Sequence, residues 1–145
     1  MIYADTSILA SLVMRDKNSA MALDLFQSAT KPFAYNWLHK LEVGNALRLS
    51  LSEKRLTESD VSVSESTVEE LVSSRRLEVI EPDWGRVFER GRGLSLAHTK
   101  ECKARSLDIL HVACAMDLQI REFWSFDDRQ RKLAEFAGLR TNSAH

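Results

Sequence analysis

The sequence predicts an α/β fold: a three-layer α/β/α sandwich around a mostly parallel sheet of four to five strands, in one domain over residues 1–145. Two observations carry this. Short β-type runs alternate with longer helical runs along the whole chain, which implies βαβ units with helices on both faces of a parallel sheet and right-handed crossovers. The chain is 145 residues long, 44% hydrophobic and 28% charged, the size and balance of one ordinary globular domain. At that length roughly 68–70% of the unfolded chain's surface can be buried, so a core needs neither disulfide nor metal. No internal repeat or linker divides the chain.

Taken in order, Ile2-Tyr3-Ala4-Asp5 reads as a first strand, with Thr6 or Ser7 capping a helix through Met14. Asn18 to Ala29 reads as a helix with Ala22, Leu25, Phe26 and Ala29 on one face, stopped by Lys31-Pro32. Phe33 to Tyr35 is the second strand, and Trp37 to Leu51 a helix. Thr57 to Ser74 is rich in Ser and Thr, but Val61, Val68, Leu71 and Val72 make it a solvated amphipathic helix rather than a linker. Leu77 to Ile80 is a third strand. Pro82 and Asp83 open a helical run that Gly91 and Gly93 weaken, and Ser106 caps an apolar helix from Leu107 to Leu118. Glu122 to Phe126 is the fourth strand. Arg129 to Ala137 is a helix ended by Gly138, and Leu139 to Thr141 a last short strand.

With 20 Lys plus Arg against 21 Asp plus Glu, the net charge is −1, which excludes a wholesale basic nucleic-acid-coating protein but not a local basic patch. No apolar run approaches the ~20 residues of a membrane span, and no basic residue precedes the apolar stretch Ile8 to Met14, so a signal peptide is not expected. Cys102 and Cys114 are too few for a disulfide scaffold. The expectation is a cytoplasmic, reduced protein without membrane association.

Four acids stand out. In open α/β sheets, ligands bind outside the carboxyl ends of the strands. Asp5 closes the first strand and Asp127 the fourth, positions where Asp also serves as an ordinary helix N-cap. Glu42 lies in a stripe with Leu38, Asn45 and Leu49, and Asp108 in one with Val112 and Ala115. A lone carboxylate against an apolar stripe costs several kcal/mol unless compensated, either by an arginine (Arg48 and Arg105 are at hand), by exposure, or by a shared cation. Like charges brought together repel and raise each other's pKa; Mg²⁺ or Mn²⁺ removes that conflict because hard cations take oxygen ligands. Such chemistry needs no histidine base, and His39, His98, His111 and His145 are scattered.

Four segments carry a family resemblance. Met1-Ile-Tyr-Ala-Asp-Thr-Ser-Ile-Leu resembles the opening of a PIN domain; Glu42-Val-Gly-Asn-Ala-Leu, Arg105-Ser-Leu-Asp-Ile-Leu-His-Val-Ala-Cys-Ala and Ser125-Phe-Asp-Asp-Arg-Gln-Arg-Lys-Leu resemble its later acidic motifs. The ordered set spans nearly the whole chain, and its size is similar to the VapC-type toxins of toxin–antitoxin pairs. The resemblance implies a Mg²⁺-dependent endoribonuclease (Mn²⁺ substituting) that cleaves RNA by metal-activated water. It implies Asp5, Glu42, Asp108 and Asp127 as the catalytic acids, with Asp5, Asp108 and Asp127 on the metal. Thr6, Ser7, Asn45 and Ser125 are polar support. A homodimer and a cognate antitoxin protein are implied as partners beside RNA. The Asp127-Asp128 doublet leaves the fourth acid open, with strand-end position favouring Asp127.

Charge is uneven: Leu56 to Asp83 holds eight acids and two bases, whereas Trp84 to Arg105 holds six bases and two acids. Lys100, Lys103 and Arg105 before Asp108, and Arg129 after Asp127, are candidate contacts to an RNA backbone, since phosphates supply most nucleic-acid affinity; a solvated helix face explains them equally. Trp37, Trp84 and Trp124 fit core packing better than base stacking. A zinc site from His98, Cys102, His111 and Cys114 lacks tight ligand spacing, and a buried Cys114 with His111 hydrogen-bonded in the core fits better. The rivals are a catalytically silent RNA- or partner-binding module and a phosphoacceptor receiver domain; the latter lacks the paired early acids its chemistry requires.

Overall fold

The computed structural model describes residues 1–142. Five strands, β1 (Tyr3–Ala4), β2 (Phe33–Tyr35), β3 (Leu77–Val79), β4 (Glu122–Trp124) and β5 (Arg140–Thr141), all pair in parallel. Two runs, β3-β2 and β1-β4-β5, are joined by a parallel bridge between Ile2 and Phe33, giving the order β3-β2-β1-β4-β5. Strand order therefore reverses between β1 and β4, where Tyr3 lies opposite Phe123 and Ala4 opposite Trp124. The carboxyl ends flanking that reversal are the expected place for a ligand crevice.

Seven helices connect the strands: α1 (Thr6–Val13), α2 (Ser19–Ser28), α3 (Trp37–Ser52), α4 (Glu58–Ser73), α5 (Trp84–Cys102), α6 (Ser106–Asp117) and α7 (Asp128–Phe136). Alternation along the strands divides the core in two. Ile2, Ala4, Phe33 and Tyr35 pack with residues of α1 to α4; Tyr3, Ala34 and Phe123 pack chiefly with α5, α6 and α7. This is the three-layer sandwich. Phe123 is fully buried and stacks on Tyr3 at 5.7 Å between ring centres. Phe123→Ala is expected to destabilise the protein by about 3–5 kcal/mol, read from the urea midpoint; a loss under ~1 kcal/mol would show that the β1–β4 layer is not the core.

The helix starts differ from expectation. Asp5, not Thr6 or Ser7, caps α1 by accepting the Ile8 N–H, because both hydroxyls are engaged with carboxylates. At α6, Arg105 rather than Ser106 is the N-cap residue, and the Asp108 carboxylate reaches back to its N–H at 2.9 Å. Helix α5 runs unbroken through both glycines. A Cβ at Gly91 would lie 3.6 Å from Ile109 and Leu110 side-chain atoms, an ordinary contact, so the residue faces α6 without the packing demanding a glycine. Trp37 is 62% exposed at the start of α3, with the Lys40 ammonium over its ring, and is not a core residue; Trp84 and Trp124 do pack against the core. Gly138, at φ +80°, follows α7 as expected. No helix among the described residues is long and apolar enough to cross a membrane.

Candidate active site

A cleft of about 500 Å³ opens over the strand reversal, and Asp5, Glu42, Asp108 and Asp127 all line it, with Thr6, Ser7, Asn45, Arg105, His111 and Gln130. Each acid arrives by a local rule. Asp5 follows β1 and is tied to β4 through its N–H on the Trp124 carbonyl. Asp127 caps α7 immediately after β4, Asp108 sits in the first turn of α6, and Glu42 projects from α3. Of the expected stripe Leu38, Glu42, Asn45 and Leu49 only Leu38 is buried; the other inward positions of α3 are His39, Val43, Leu47 and Ser50. Glu42 thus borders the cleft with its side chain 23% exposed, and Leu41 and Leu49 stand exposed at the rim.

Asp5 is the most constrained of the four. It is 6% exposed. Its Oδ1 accepts from the Ser7 hydroxyl at 2.6 Å and from the Ile8 N–H at 3.4 Å, and its Oδ2 lies 3.0 Å from the Ser125 hydroxyl. Ser125, fully buried, shares that proton with Gln130 Oε1 at 2.8 Å; the Gln130 amide is oriented by donating Nε2 to the Asp108 carbonyl. Burial pushes the Asp5 carboxyl up to about 6, against the opposing pull of His111 and these hydrogen bonds. Among the described residues no lysine or arginine pairs with it.

The other acids are engaged differently. Neither expected arginine forms an ion pair with Glu42. Arg48 pairs with Glu65 and Arg105 lies 3.6 Å from Asp108. Glu42 Oε2 instead accepts from the Thr6 hydroxyl at 2.8 Å and faces His111 Nε2 in a short contact. Burial raises the Glu42 carboxyl, but the His111 hydrogen bond and the charge that ring carries when protonated, with Thr6 and Arg105, outweigh it and leave it below the ordinary value. Asp127 forms a forked pair with Arg129, 2.7 and 3.2 Å, and accepts its N–H at 2.8 Å. Those bonds hold its carboxyl low. Asp128 is 88% exposed, pairs with Arg131 and lines a different groove. Of the four basic positions expected near RNA, Arg105 lines the cleft and Arg129 sits on Asp127, whereas Lys100 and Lys103 are exposed and do not line it.

His111 was expected as a hydrogen-bonded core residue; it is buried, but it also reaches the site through Glu42 and Thr6. Its spacing of three from Asp108 places both on one helix face, the sequence signal that would have found it. Gln130 bears the same relation to Asp127. Cys102 and Cys114 are buried free thiols, and burial pushes Cys114 up to about 12. His145 lies outside the described residues.

The donor set suits a hard dication in kind, being carboxylate oxygens in one cleft. In placement it is incomplete: among the described residues no three His, Cys, Asp or Glu side chains converge closely enough to hold one ion, since Asp127 turns to Arg129 and Asp108 to the Arg105 N–H.

A PIN domain family model matches residues 2–136. The chain belongs to the PIN domain family. This PIN domain is also similar in fold to the crystal structure of Mycobacterium tuberculosis VapC20, described as a sarcin–ricin loop cleaving toxin: the TM-score is 0.67 at 19% identity, over 97% of this chain and 99% of that one. No curated protein sequence gives a significant match.

Proposed function

We propose that this PIN domain is a Mg²⁺-dependent endoribonuclease, acting as the toxin of a toxin–antitoxin pair, with Mn²⁺ as a substitute ion. The observation that carries the proposal is Asp5: a buried carboxylate without a cationic partner, at the floor of a cleft lined by three more acids. A buried charge left so is costly, and an external dication is the partner its oxygens suit. PIN-family membership and the VapC-like fold point to RNA as substrate.

Asp5, Asp108 and Asp127 would hold the ion, which when bound supplies Lewis-acid polarisation of the scissile phosphate and charge neutralisation among the acids. Ser7 and Ser125 fix the two oxygens of Asp5, and Gln130 fixes Ser125 and ties it to the start of α6. Glu42, kept ionised below its ordinary pKa, offers a carboxylate oxygen to the attacking water and takes its proton. Arg105 and Arg129 flank the cleft as contacts for the RNA backbone, and Asn45 presents a neutral donor and acceptor at its rim. The bond from phosphorus to the upstream 3′-oxygen breaks, that oxygen leaves and takes up a proton to end as a 3′-hydroxyl, and the strand 3′ to the cut keeps the phosphate at its 5′ end. The cognate antitoxin and a homodimer are partners on the same family grounds.

One observation favours a catalytically silent RNA- or partner-binding module instead: the Asp127–Arg129 pair withholds a ligand from the cleft. Incubating the purified protein with RNA in Mg²⁺, in Mn²⁺ and in EDTA separates the two. Cleavage with either ion and none in EDTA is the expected outcome; RNA binding without cleavage in any of the three would establish the silent module.

A further inference from the structure

The place of Glu42 is set by a relay that starts at the cap of α3. Asn36 Oδ1 accepts the N–H groups of Leu38 and His39, at 3.1 and 3.3 Å. That cap settles which way the amide points, so the atom 3.2 Å from the Tyr3 hydroxyl is Nδ2, which only donates. Tyr3, accepting there, has its own proton for His111 Nδ1, 3.0 Å away. A neutral imidazole carries one N–H, and with Nδ1 accepting it resides on Nε2. The surroundings of Nε2 agree. It faces Glu42 Oε2, an acceptor, and Thr6 Oγ1 at 3.2 Å, whose proton already goes to that same carboxylate oxygen. Two donors, 36 and 69 residues from Glu42 in sequence, therefore clamp Oε2. Among the described residues Oε1 takes no hydrogen bond and is left for the cleft.

The geometry points to His111 as a positioning residue for Glu42: its Nε2–H, in a tautomer selected by Asn36 and Tyr3, holds the carboxylate with Oε1 presented to substrate. The relay stands on hydrogen bonds alone, while its catalytic consequence rests on the nuclease reading above. His111 touches no reacting atom in this scheme. Its neighbours are set rigidly: Tyr3 and His39 rings pack at 4.9 Å, His39 and His111 at 5.0 Å, and His39 Nε2 lies 2.8 Å from the Ala4 carbonyl, just before Asp5. The same buried cluster thus supports both Asp5 and Glu42.

The test has two arms. In the first, long-range ¹H–¹⁵N spectra of the folded, metal-free protein at neutral pH report the His111 tautomer. The Nε2–H form is expected, with a shift toward a mixture in Tyr3→Phe; an Nδ1–H form in the unaltered protein, or no change in Tyr3→Phe, overturns the relay. In the second arm, His111→Leu is expected to lower kcat for RNA cleavage by roughly 10–100-fold with KM little changed. His111→Gln, which keeps a donor near the place of Nε2, is expected to recover most of that loss. Equal kcat for His111→Leu and the unaltered protein, or no recovery in His111→Gln, overturns the positioning role. If His111→Leu fails to fold by circular dichroism, His111→Gln compared with Tyr3→Phe decides the point. Absence of cleavage by the unaltered protein would remove the nuclease reading and leave the tautomer to judge the relay.

Discussion

Asp5→Asn is expected to reduce RNA cleavage at least about a hundredfold and, in metal-free buffer near pH 8, to make the protein more stable rather than less. The two effects have one cause. Burial moves the Asp5 carboxyl from 3.8 to about 6 in the folded protein, so between those values the folded state binds more protons than the unfolded one. Stability then falls as pH rises through this window, and above about pH 6 the whole cost is present. Two pKa units correspond to roughly 3 kcal/mol as an order of magnitude. Asparagine carries no charge and keeps an acceptor for Ser7 and Ile8, so the variant should lack this loss. Chemical denaturation from pH 4 to 8 checks it: a parallel decline in both proteins would show that Asp5 is not the strained group. Adding Mn²⁺ at pH 8 should reverse the order. An ion present at a hundred times its dissociation constant stabilises by about 2.7 kcal/mol, in the unaltered protein and not in the variant.

Asp127→Asn and Arg129→Ala should change Mn²⁺ affinity in opposite directions. With Asp127 as the proposed oxygen ligand, its loss is expected to weaken the ion and cleavage by on the order of 10–100-fold. Arg129 holds that ligand at 2.7 and 3.2 Å, and releasing it should tighten the ion a few-fold at most, because a partly exposed pair is worth only about 0.2–1 kcal/mol. RNA affinity should fall in Arg129→Ala all the same, through loss of a phosphate contact. Calorimetric titration with Mn²⁺, away from RNA, resolves the signs. If both variants weaken the ion equally, Arg129 supports the site instead of competing for it. An unchanged affinity in Asp127→Asn would transfer the fourth position elsewhere, although Asp128 points into a different groove.

Much of this molecule can be read along the chain because its rules are local. Strand and helix alternate with clear periodicity, Gly138 ends α7, and the four acids stand at strand ends and helix starts where an α/β sheet gathers ligands. Even so, the face of α3 that carries Glu42 was only partly legible. Leu38 of the Leu38–Glu42–Leu49 stripe is buried, but the inward side continues through His39, Val43 and Leu47. Leu38, Leu41, Val43, Leu47, Leu49 and Leu51 are spread around the helix, so no single apolar stripe marks its inner face. At α1 the Asp5 cap prevails over Thr6 or Ser7, because Thr6 donates to the distant Glu42 and Ser7 to Asp5 itself; at α6 the Asp108 carboxylate takes the Arg105 N–H, which sets the cap one residue before Ser106.

The sequence by itself determined the layers and the parallel sheet through its alternation of short and long runs, and its four motifs pointed to the family and to four candidate acids. Tertiary structure alone decided what holds two of the acids: Glu42 is held by His111 and Thr6 rather than by an arginine ion pair, and Asp5 by hydroxyls and no lysine or arginine. Those contacts join residues 36, 69 and, for Ser125 on Asp5, 120 positions apart. They are chosen by side-chain direction and burial once the sheet has brought the strand ends together, and nothing in a local pattern encodes that choice.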